Sequence, residues 1–218
     1  MRLNTVIFDM DGLLIDSEPF WQEAGMETLL QFNVTLDPVQ YHHTTGLRTR
    51  EWLDHWFTHF AIGKERIPAA EAALHHNVIE KIKTHADPLP GVHEILAFFR
   101  SRNFRIGLAT SSPLSLVKVV VEKLGIENNF QAVASAEHLP YGKPHPQVYM
   151  DCAQSLAVSP LQCLAFEDSF NGVIAAKAAR MTCVAIPVPD QAHLPKWGAA
   201  DLRLGSLLDF TDHELSSL

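Results

Sequence analysis

Short, uninterrupted runs of apolar residues recur along the chain and predict buried β-strands. The first run, residues 5–8, joins β-branched and aromatic side chains without polar alternation and leads directly into Asp9. Strands that are buried on both faces of a parallel sheet have this pattern. We therefore expect the first strand to lie in the middle of a sheet. Similar runs follow at residues 105–109, 132–134, 163–166 and 183–186.

The segments between these runs carry apolar residues at the spacing of an amphipathic helix. In the first of them Val92, Ile95, Leu96 and Phe99 fall on one helical face. Strands and helices that alternate through short connections predict an α/β fold with a doubly wound, Rossmann-like parallel sheet. The helices of this core are expected at residues 92–102, 114–124, 146–156 and 171–179.

Residues 17–87 break the alternation, because they show helical periodicity and no convincing strand. Helices are expected there at residues 19–32, 49–60 and 69–85. The prolines and glycine of residues 87–91 stop the last helix and return the chain to the sheet. We expect an α/β core of residues 1–16 and 88–218, and a small helical cap of residues 17–87 inserted after the first strand.

Composition and charge narrow the classes of partner. Hydrophobic residues make up 47% of the chain and charged residues 19%, the balance of a globular protein with a substantial core. The 17 Lys and Arg against 25 Asp and Glu give a net charge of −8, and no basic run could follow a nucleic acid. A small anionic substrate would therefore need a locally positive pocket.

The compartment is indicated by what the chain lacks. Three widely spaced cysteines without a CxxC pair support neither a disulfide framework nor a zinc ribbon. The N-terminal apolar run is too short for a signal peptide, and no segment approaches the ~18 apolar residues of a membrane span. We expect a soluble, cytoplasmic monomer whose partners include neither a membrane nor a nucleic acid.

Polar residues follow the strands at their carboxyl ends, where open α/β sheets bind ligands. They come from four loops that should converge on one pocket, and they supply carboxylates, hydroxyls and one ammonium group. The candidate site residues are Asp9, Asp11, Thr110, Ser111, Lys143, Glu167 and Asp168.

Three of these aspartates predict a magnesium site. Asp9 and Asp11 lie two residues apart at a turn, and such close carboxylates repel each other unless a cation lies between them. Together with Asp168 they offer the oxygen ligands that suit Mg²⁺, which is often shared with a substrate phosphate. Lys143 adds a further positive charge, so the pocket becomes locally positive despite the acidic chain.

In such a pocket an aspartate can itself attack phosphorus. Asp9 is the candidate nucleophile because it follows the strand directly, and Asp11 is the candidate general acid and base. The Thr110 hydroxyl and the main-chain N–H of Ser111 can donate to phosphate oxygens.

Each element has a simpler explanation when it is taken alone. Asp-x-Asp-Gly is common in turns, the residues Glu167-Asp168-Ser169 can cap a helix, and Lys143-Pro144 can belong to a surface loop. The elements nevertheless occur in order, each just after a predicted strand or in a loop that reaches the same edge of the sheet. Their combination favours the phosphate site.

Four segments together resemble the motifs of the haloacid dehalogenase (HAD) superfamily. They are FDMDGLLIDSEP from residue 8, LATSSP from residue 108, GKPHPQVY from residue 142 and FEDSFNGVIAAKAARM from residue 166. The helical insert is similar to the small cap of that superfamily. TGLR at residues 45–48 further resembles the β-phosphoglucomutase-like branch, which includes phosphatases of hexitol phosphates and of 2-deoxyglucose 6-phosphate.

The resemblance implies a Mg²⁺-dependent phosphatase that acts on a sugar or sugar-alcohol phosphate through an aspartyl-phosphate. It implies that the metal is held by the Asp9 side chain, the Asp11 main-chain carbonyl and Asp168, with Glu167 adjacent or acting through water. The positions that it matches to phosphate binding are Thr110, Ser111 and Lys143.

The same resemblance implies roles for the cap and leaves alternatives open. Glu18 and Arg48 are candidates for contacting the sugar, and Trp21 is expected to face the active site. Related mutases carry a histidine close to the position of Trp21, which favours a phosphatase over a sugar-phosphate mutase. A non-catalytic regulator of the same fold is disfavoured, since every catalytic position holds a competent residue.

Overall fold

The computed structural model describes residues 2–42, 44 and 47–218. Within them, six parallel strands form one sheet in the order β3-β2-β1-β4-β5-β6. The strands are β1 (Thr5–Phe8), β2 (Arg105–Thr110), β3 (Ala132–Ser135), β4 (Cys163–Glu167), β5 (Thr182–Ala185) and β6 (Leu202–Arg203).

Helices flank this sheet and fill the long connection after β1. The helices are α1 (Glu18–Leu30), α2 (Pro38–His42), α3 (Thr49–His59), α4 (Ile67–His85), α5 (Val92–Ser101), α6 (Leu114–Leu124), α7 (Gln147–Ser155), α8 (Phe170–Ala178) and α9 (Asp212–Ser217). The expected doubly wound α/β fold is therefore confirmed.

Strand β1 is central, as its uninterrupted apolar sequence predicts. All four of its residues are buried, and it pairs with β2 on one side and β4 on the other. Its side chains alternate between two cores: Phe8 packs with Phe99 and Phe166, whereas Ile7 belongs to a second buried cluster that includes Tyr149. Because β2 and β4 both neighbour β1, the loops that leave these three strands meet at one edge of the sheet.

The helices α1 to α4 form the cap that follows β1. The apolar face of α3 is buried within the cap through Trp52, Leu53, Trp56 and Phe57. The chain leaves and re-enters the core at one place, since Ile15 forms a β-bridge with Pro88. The cap inserted after the first strand is confirmed, and the assignment of residues 17–87 as its full extent stays a prediction.

Several element ends differ from the expectation. Strands β2, β3 and β4 each run one residue further than expected. Thr110 and Glu167 therefore end strands rather than begin loops. Strand β5 lies one residue earlier than expected, at Thr182–Ala185. Helices α2 and α9 and strand β6 were not expected. Helix α2 has only five residues and β6 only two, and none of the residues of α9 is buried. Among the helices in the described part of the chain, none combines the length and the hydropathy of a membrane span.

Candidate active site

The turn after β1 places Asp9 and Asp11 at the edge of the sheet. Asp9 is buried, and its main-chain N–H donates to the Phe166 carbonyl at 3.0 Å, which extends the strand ladder by one bond. Gly12 has a positive φ of 75°, which glycine adopts without strain. A Cβ at Gly12 would also lie 2.3 Å from Asp168 Oδ2, so the Asp168 carboxylate fits only over a glycine.

Lys143 contacts the carboxylates of Asp9 and Glu167 and is almost completely buried. Its Nζ donates to Asp9 Oδ1 at 2.6 Å, to Glu167 Oε1 at 2.5 Å and to the Ala109 carbonyl at 3.0 Å. Tyr149, on α7, donates its hydroxyl to the same Glu167 oxygen at 2.6 Å. The ammonium group is therefore fixed by acceptors at the carboxyl ends of β1, β2 and β4, with the Tyr149 hydroxyl at 3.5 Å.

The second oxygen of Glu167 has protein donors of its own. This oxygen, Oε2, accepts hydrogen bonds from the main-chain N–H and the hydroxyl of Ser169, at 3.3 and 3.1 Å. Both of its oxygens thus have protein donors. Gly172 gives Glu167 its space, because a Cβ there would lie 1.9 Å from the carboxyl carbon.

Burial dominates the electrostatics of the cluster. It raises the pKa of Asp9 to about 7 against the opposing effect of the Lys143 ammonium, and the Glu167 and Asp11 carboxylates add to the rise. Burial, with the charges of Asp9 and Glu167, also holds the pKa of Asp168 well above its usual value. Burial alone would lower the pKa of Lys143, but Asp9 and Glu167 more than offset it and keep the group charged.

Asp9, Glu167 and Asp168 each offer one carboxylate oxygen, and the three oxygens lie within 4.8 Å of one another. Asp168 Oδ1 is buried without a hydrogen-bond partner among the described residues. A buried, unpartnered carboxylate oxygen is costly unless a cation or a proton compensates it. The oxygen-only donor set and this orphaned atom fit a small divalent cation such as Mg²⁺.

Asp11 is held differently, by neutral donors. Its Oδ1 accepts hydrogen bonds from the Ser17 hydroxyl at 2.7 Å and from the Trp21 indole Nε1 at 2.9 Å. Its Oδ2 accepts one from the Ser112 hydroxyl at 2.6 Å. Ser112 follows β2 in the core, whereas Trp21 lies on cap helix α1.

These groups surround a cavity between the core and the cap. The volume open to the centres of water molecules is about 120 Å³, several times what a single water needs. Thr110 and Ser111 border it, and the Ser111 hydroxyl is buried without a described partner. Nine of the ten residues predicted from the sequence line this cavity: Asp9, Asp11, Glu18, Trp21, Arg48, Thr110, Ser111, Lys143 and Asp168.

On the cap side, Glu18 and Tyr41 face the cavity together. Burial, together with the Asp11 charge, raises the pKa of Glu18 to about 7, although a hydrogen bond from the Tyr41 hydroxyl opposes the rise. Glu18 Oε1 is buried without a hydrogen-bond partner among the described residues. Trp52, from the buried face of α3, also lines the cavity.

Arg48 connects the cap to the core. Its guanidinium donates to the carbonyls of Ala136 at 2.9 Å, Leu139 at 2.5 Å and Pro140 at 3.2 Å, all in the loop after β3. Glu51 pairs with it at 2.7 Å. Of the guanidinium nitrogens only Nε lacks a described partner, and it is buried. Of the TGLR residues that led to Arg48, the first two lie outside the described residues.

Sequence reasoning missed the side chains that hold the catalytic candidates in place. The Ser17, Ser112 and Tyr149 hydroxyls donate to Asp11 or Glu167, yet their residue types occur throughout the chain. The one signal available for Tyr149 is its position in the sequence, six residues after Lys143 and near the start of a predicted helix. Tyr41 gives no such signal, because helix α2 itself was not expected.

The fold and the site together define a class of protein. It is a capped α/β enzyme with a cluster of carboxylates and a lysine at the ends of its strands. Residues 3–180 match the family model described as haloacid dehalogenase-like hydrolase, and the chain belongs to that family.

Individual relatives agree with this assignment. The chain is 41% identical over 216 residues to hexitol phosphatase B of Escherichia coli K12, covering 98% of this chain and 97% of that protein. It is 29% identical over 191 residues to β-phosphoglucomutase of Bacillus subtilis, with 84% and 83% covered. A crystal structure of β-phosphoglucomutase from Clostridium difficile shares the fold, with a TM-score of 0.87 at 23% identity over 99% of this chain and 96% of that one.

Proposed function

We propose that this protein is a Mg²⁺-dependent phosphatase of sugar or sugar-alcohol phosphates, with Asp9 as the nucleophile. The observation that carries the proposal is the buried Asp9 carboxylate at the end of β1, ion-paired with Lys143 at 2.6 Å and clustered with Asp168. The similarity to hexitol phosphatase B supports a polyol or sugar phosphate as the substrate.

In the first step a carboxylate oxygen of Asp9 attacks phosphorus, and the bond from phosphorus to the ester oxygen breaks. Asp11 donates a proton to the departing alkoxide, so that an alcohol and an aspartyl-phosphate result. Lys143, Thr110 and the main-chain N–H of Ser111 donate to the phosphoryl oxygens, where negative charge must be balanced. The ammonium beside Asp9 favours the ionised form of the nucleophile.

Three groups of the site would hold the metal: the Asp9 and Asp168 carboxylates and the main-chain carbonyl of Asp11. Bound there, Mg²⁺ would neutralise the carboxylates and the phosphate that must approach them. Glu167 takes no part as a ligand in this proposal, because its two oxygens are occupied by Lys143, Tyr149 and Ser169.

In the second step Asp11, now ionised, accepts a proton from a water molecule that attacks the aspartyl-phosphate. The bond between phosphorus and the Asp9 oxygen breaks, which releases phosphate and restores the carboxylate. One residue thus serves as the acid in the first step and as the base in the second.

The cap-facing end of the cavity supports a hydroxyl-bearing leaving group. Glu18 offers a buried oxygen without a described partner, and the Tyr41 hydroxyl lies beside it. A substrate hydroxyl placed there would satisfy that oxygen, whereas an apolar group would leave it unpaired. This chemistry fits a sugar or a polyol better than a short alkyl phosphate.

The test is phosphate release from hexitol phosphates and 2-deoxyglucose 6-phosphate in the presence of Mg²⁺, with the wild type and with Asp9→Asn. The variant keeps the size of the side chain but loses the nucleophile, so turnover should fall by at least about 10⁴-fold. Asp190→Asn, an exposed carboxylate in the loop after β5, is the control and should keep full activity. Near-normal hydrolysis by Asp9→Asn would refute the mechanism.

A sugar-phosphate mutase is the second candidate, and it is favoured by the similarity to β-phosphoglucomutase. The two activities differ in what receives the phosphoryl group from Asp9, which is water in a phosphatase and a second sugar hydroxyl in a mutase. Incubation with β-glucose 1-phosphate distinguishes them. Free phosphate as the product supports the phosphatase, and glucose 6-phosphate supports the mutase.

A further inference from the structure

The carboxylate of Asp11 is held by donors from both parts of the molecule. Ser17 and Trp21 donate to Oδ1 from the segment that leads into the cap and from helix α1, and Ser112 donates to Oδ2 from the core. Donors at both oxygens fix the plane of the carboxylate as well as its position. The orientation of Asp11 therefore depends on where the cap lies.

The three donors differ in how firmly they set a direction. A serine hydroxyl rotates about its C–O bond and can donate or accept, whereas the indole N–H only donates and points along the plane of its ring. The ring of Trp21 is itself fixed, since it is half-buried against the core cluster and meets the His75 ring of α4 edge-on at 6.1 Å. Trp21 is thus the rigid donor of the set.

We propose that Trp21 is a positioning residue, whose indole N–H orients Asp11 so that its proton reaches the leaving oxygen of the substrate. This inference rests on the proposed function, in which Asp11 is the general acid. Two donors bond Oδ1, whereas Oδ2 accepts one hydrogen bond from the described residues, that of the Ser112 hydroxyl. This leaves Oδ2 as the oxygen that carries the transferred proton. Trp21 itself touches no reacting atom in this assignment.

The consequence is a dependence on the leaving group. An alkoxide leaving from a hexitol phosphate needs a proton as its bond to phosphorus breaks, whereas p-nitrophenolate is stable enough to leave without one. A misdirected Asp11 should therefore slow hydrolysis of the first ester and spare the second. Loss of cap packing would also disturb the proposed polyol subsite at Glu18, so the comparison needs a cap variant that keeps the Trp21 N–H as its control.

The test compares Trp21→Phe with the wild type on a hexitol phosphate and on p-nitrophenyl phosphate, with kcat/KM as the quantity measured. This ratio covers the steps up to departure of the first leaving group, so later hydrolysis of the aspartyl-phosphate does not enter it. Phenylalanine keeps an aromatic ring and removes the N–H donor. The expected result is a loss of about tenfold on the hexitol phosphate, with the value for p-nitrophenyl phosphate nearly unchanged.

Trp56→Phe is the matched control. Trp56 is a buried cap tryptophan on α3 whose Nε1 donates to Thr44 at 3.3 Å and not to Asp11. It keeps the Trp21 N–H and should therefore not reproduce the selective loss on the hexitol phosphate. Ser112→Ala removes the core-side donor from Asp11 and should reproduce the selective loss, which gives a second test if Trp21→Phe folds poorly.

Equal losses on both esters in Trp21→Phe, or no loss on either, would overturn the assignment of Trp21. A wild type that hydrolyses p-nitrophenyl phosphate but no sugar or polyol phosphate would overturn the proposed substrate class instead. A wild type that is inactive on every ester with Mg²⁺ present would overturn both proposals.

Discussion

The buried Glu18 carboxyl group should make the free energy of unfolding depend on pH in a predictable direction. Burial and the nearby Asp11 charge raise its pKa from 4.5 to about 7 in the folded protein. Between these two values the folded state keeps the proton that the unfolded chain releases. The free energy of unfolding therefore falls as the pH rises through this window. The shift corresponds to a loss of up to about 3 kcal/mol, at 1.36 kcal/mol per pH unit.

Glu18→Gln removes the titration and nearly preserves the size and polarity of the side chain. Relative to the wild type, this variant should gain up to about 3 kcal/mol between pH 4.5 and pH 8, since only the wild type must ionise a buried carboxyl group. Urea unfolding followed by far-UV circular dichroism at several pH values measures the difference. Metal-free buffer keeps a bound cation from altering the field around Glu18.

The control is Glu65→Gln, which alters an exposed carboxylate of the same cap. Its unfolding free energy should run parallel to that of the wild type across the whole range. If Glu18→Gln also ran parallel to the wild type, the buried and destabilised carboxyl group inferred for the cavity would be refuted.

Two further variants test the supports of the site. Gly12→Ala places a methyl group 2.3 Å from Asp168 Oδ2, and we expect at least about a hundredfold loss of activity and weaker Mg²⁺ binding by calorimetry. Gly125→Ala has a similar positive φ but nothing within 4 Å of the added carbon, so it should cost only about 1 kcal/mol of stability and no activity; equal activity losses in the two variants would contradict the argument. Arg48→Lys replaces the guanidinium fork, whose two terminal nitrogens bond the loop carbonyls and Glu51, by a single nitrogen that cannot span these partners. The Gly142 amide, which donates to Glu51, should then exchange its hydrogen faster; unchanged protection would show that the cap is held by other contacts.

The positions of the core residues of the site could be predicted because the sheet topology brings together residues that are far apart in the sequence. Lys143 lies 134 residues from Asp9, yet their side chains form a 2.6 Å ion pair. Residues at the carboxyl ends of neighbouring parallel strands must lie near one edge, and the strands were recognisable from their apolar runs. The positions of the motifs directly after predicted strands therefore indicated that their side chains lie close together in the fold.

The supporting contacts could not be predicted in the same way. Whether Trp21 donates to Asp11 depends on the rotation of α1 and on its tilt against the core, and neither follows from periodicity. The resemblance placed Glu167 adjacent to the metal or acting through water, and the hydrogen bonds that its two oxygens accept from protein donors could not be predicted from the sequence. Rotation of a helix by one residue moves a side chain by about 100°, which is enough to take the Trp21 indole away from Asp11.

The donors around Asp11 indicate how core and cap divide the chemistry. Transfer of the phosphoryl group to Asp9 draws on core groups, namely Lys143 and the residues that follow β2. Protonation of the leaving oxygen depends on Asp11, and one of its three donors is the cap residue Trp21. The proposed polyol subsite at Glu18 also belongs to the cap. Because the cap sets both the fit of the alcohol and its protonation, substitutions in α1 can change which ester is hydrolysed while phosphoryl transfer to Asp9 is preserved.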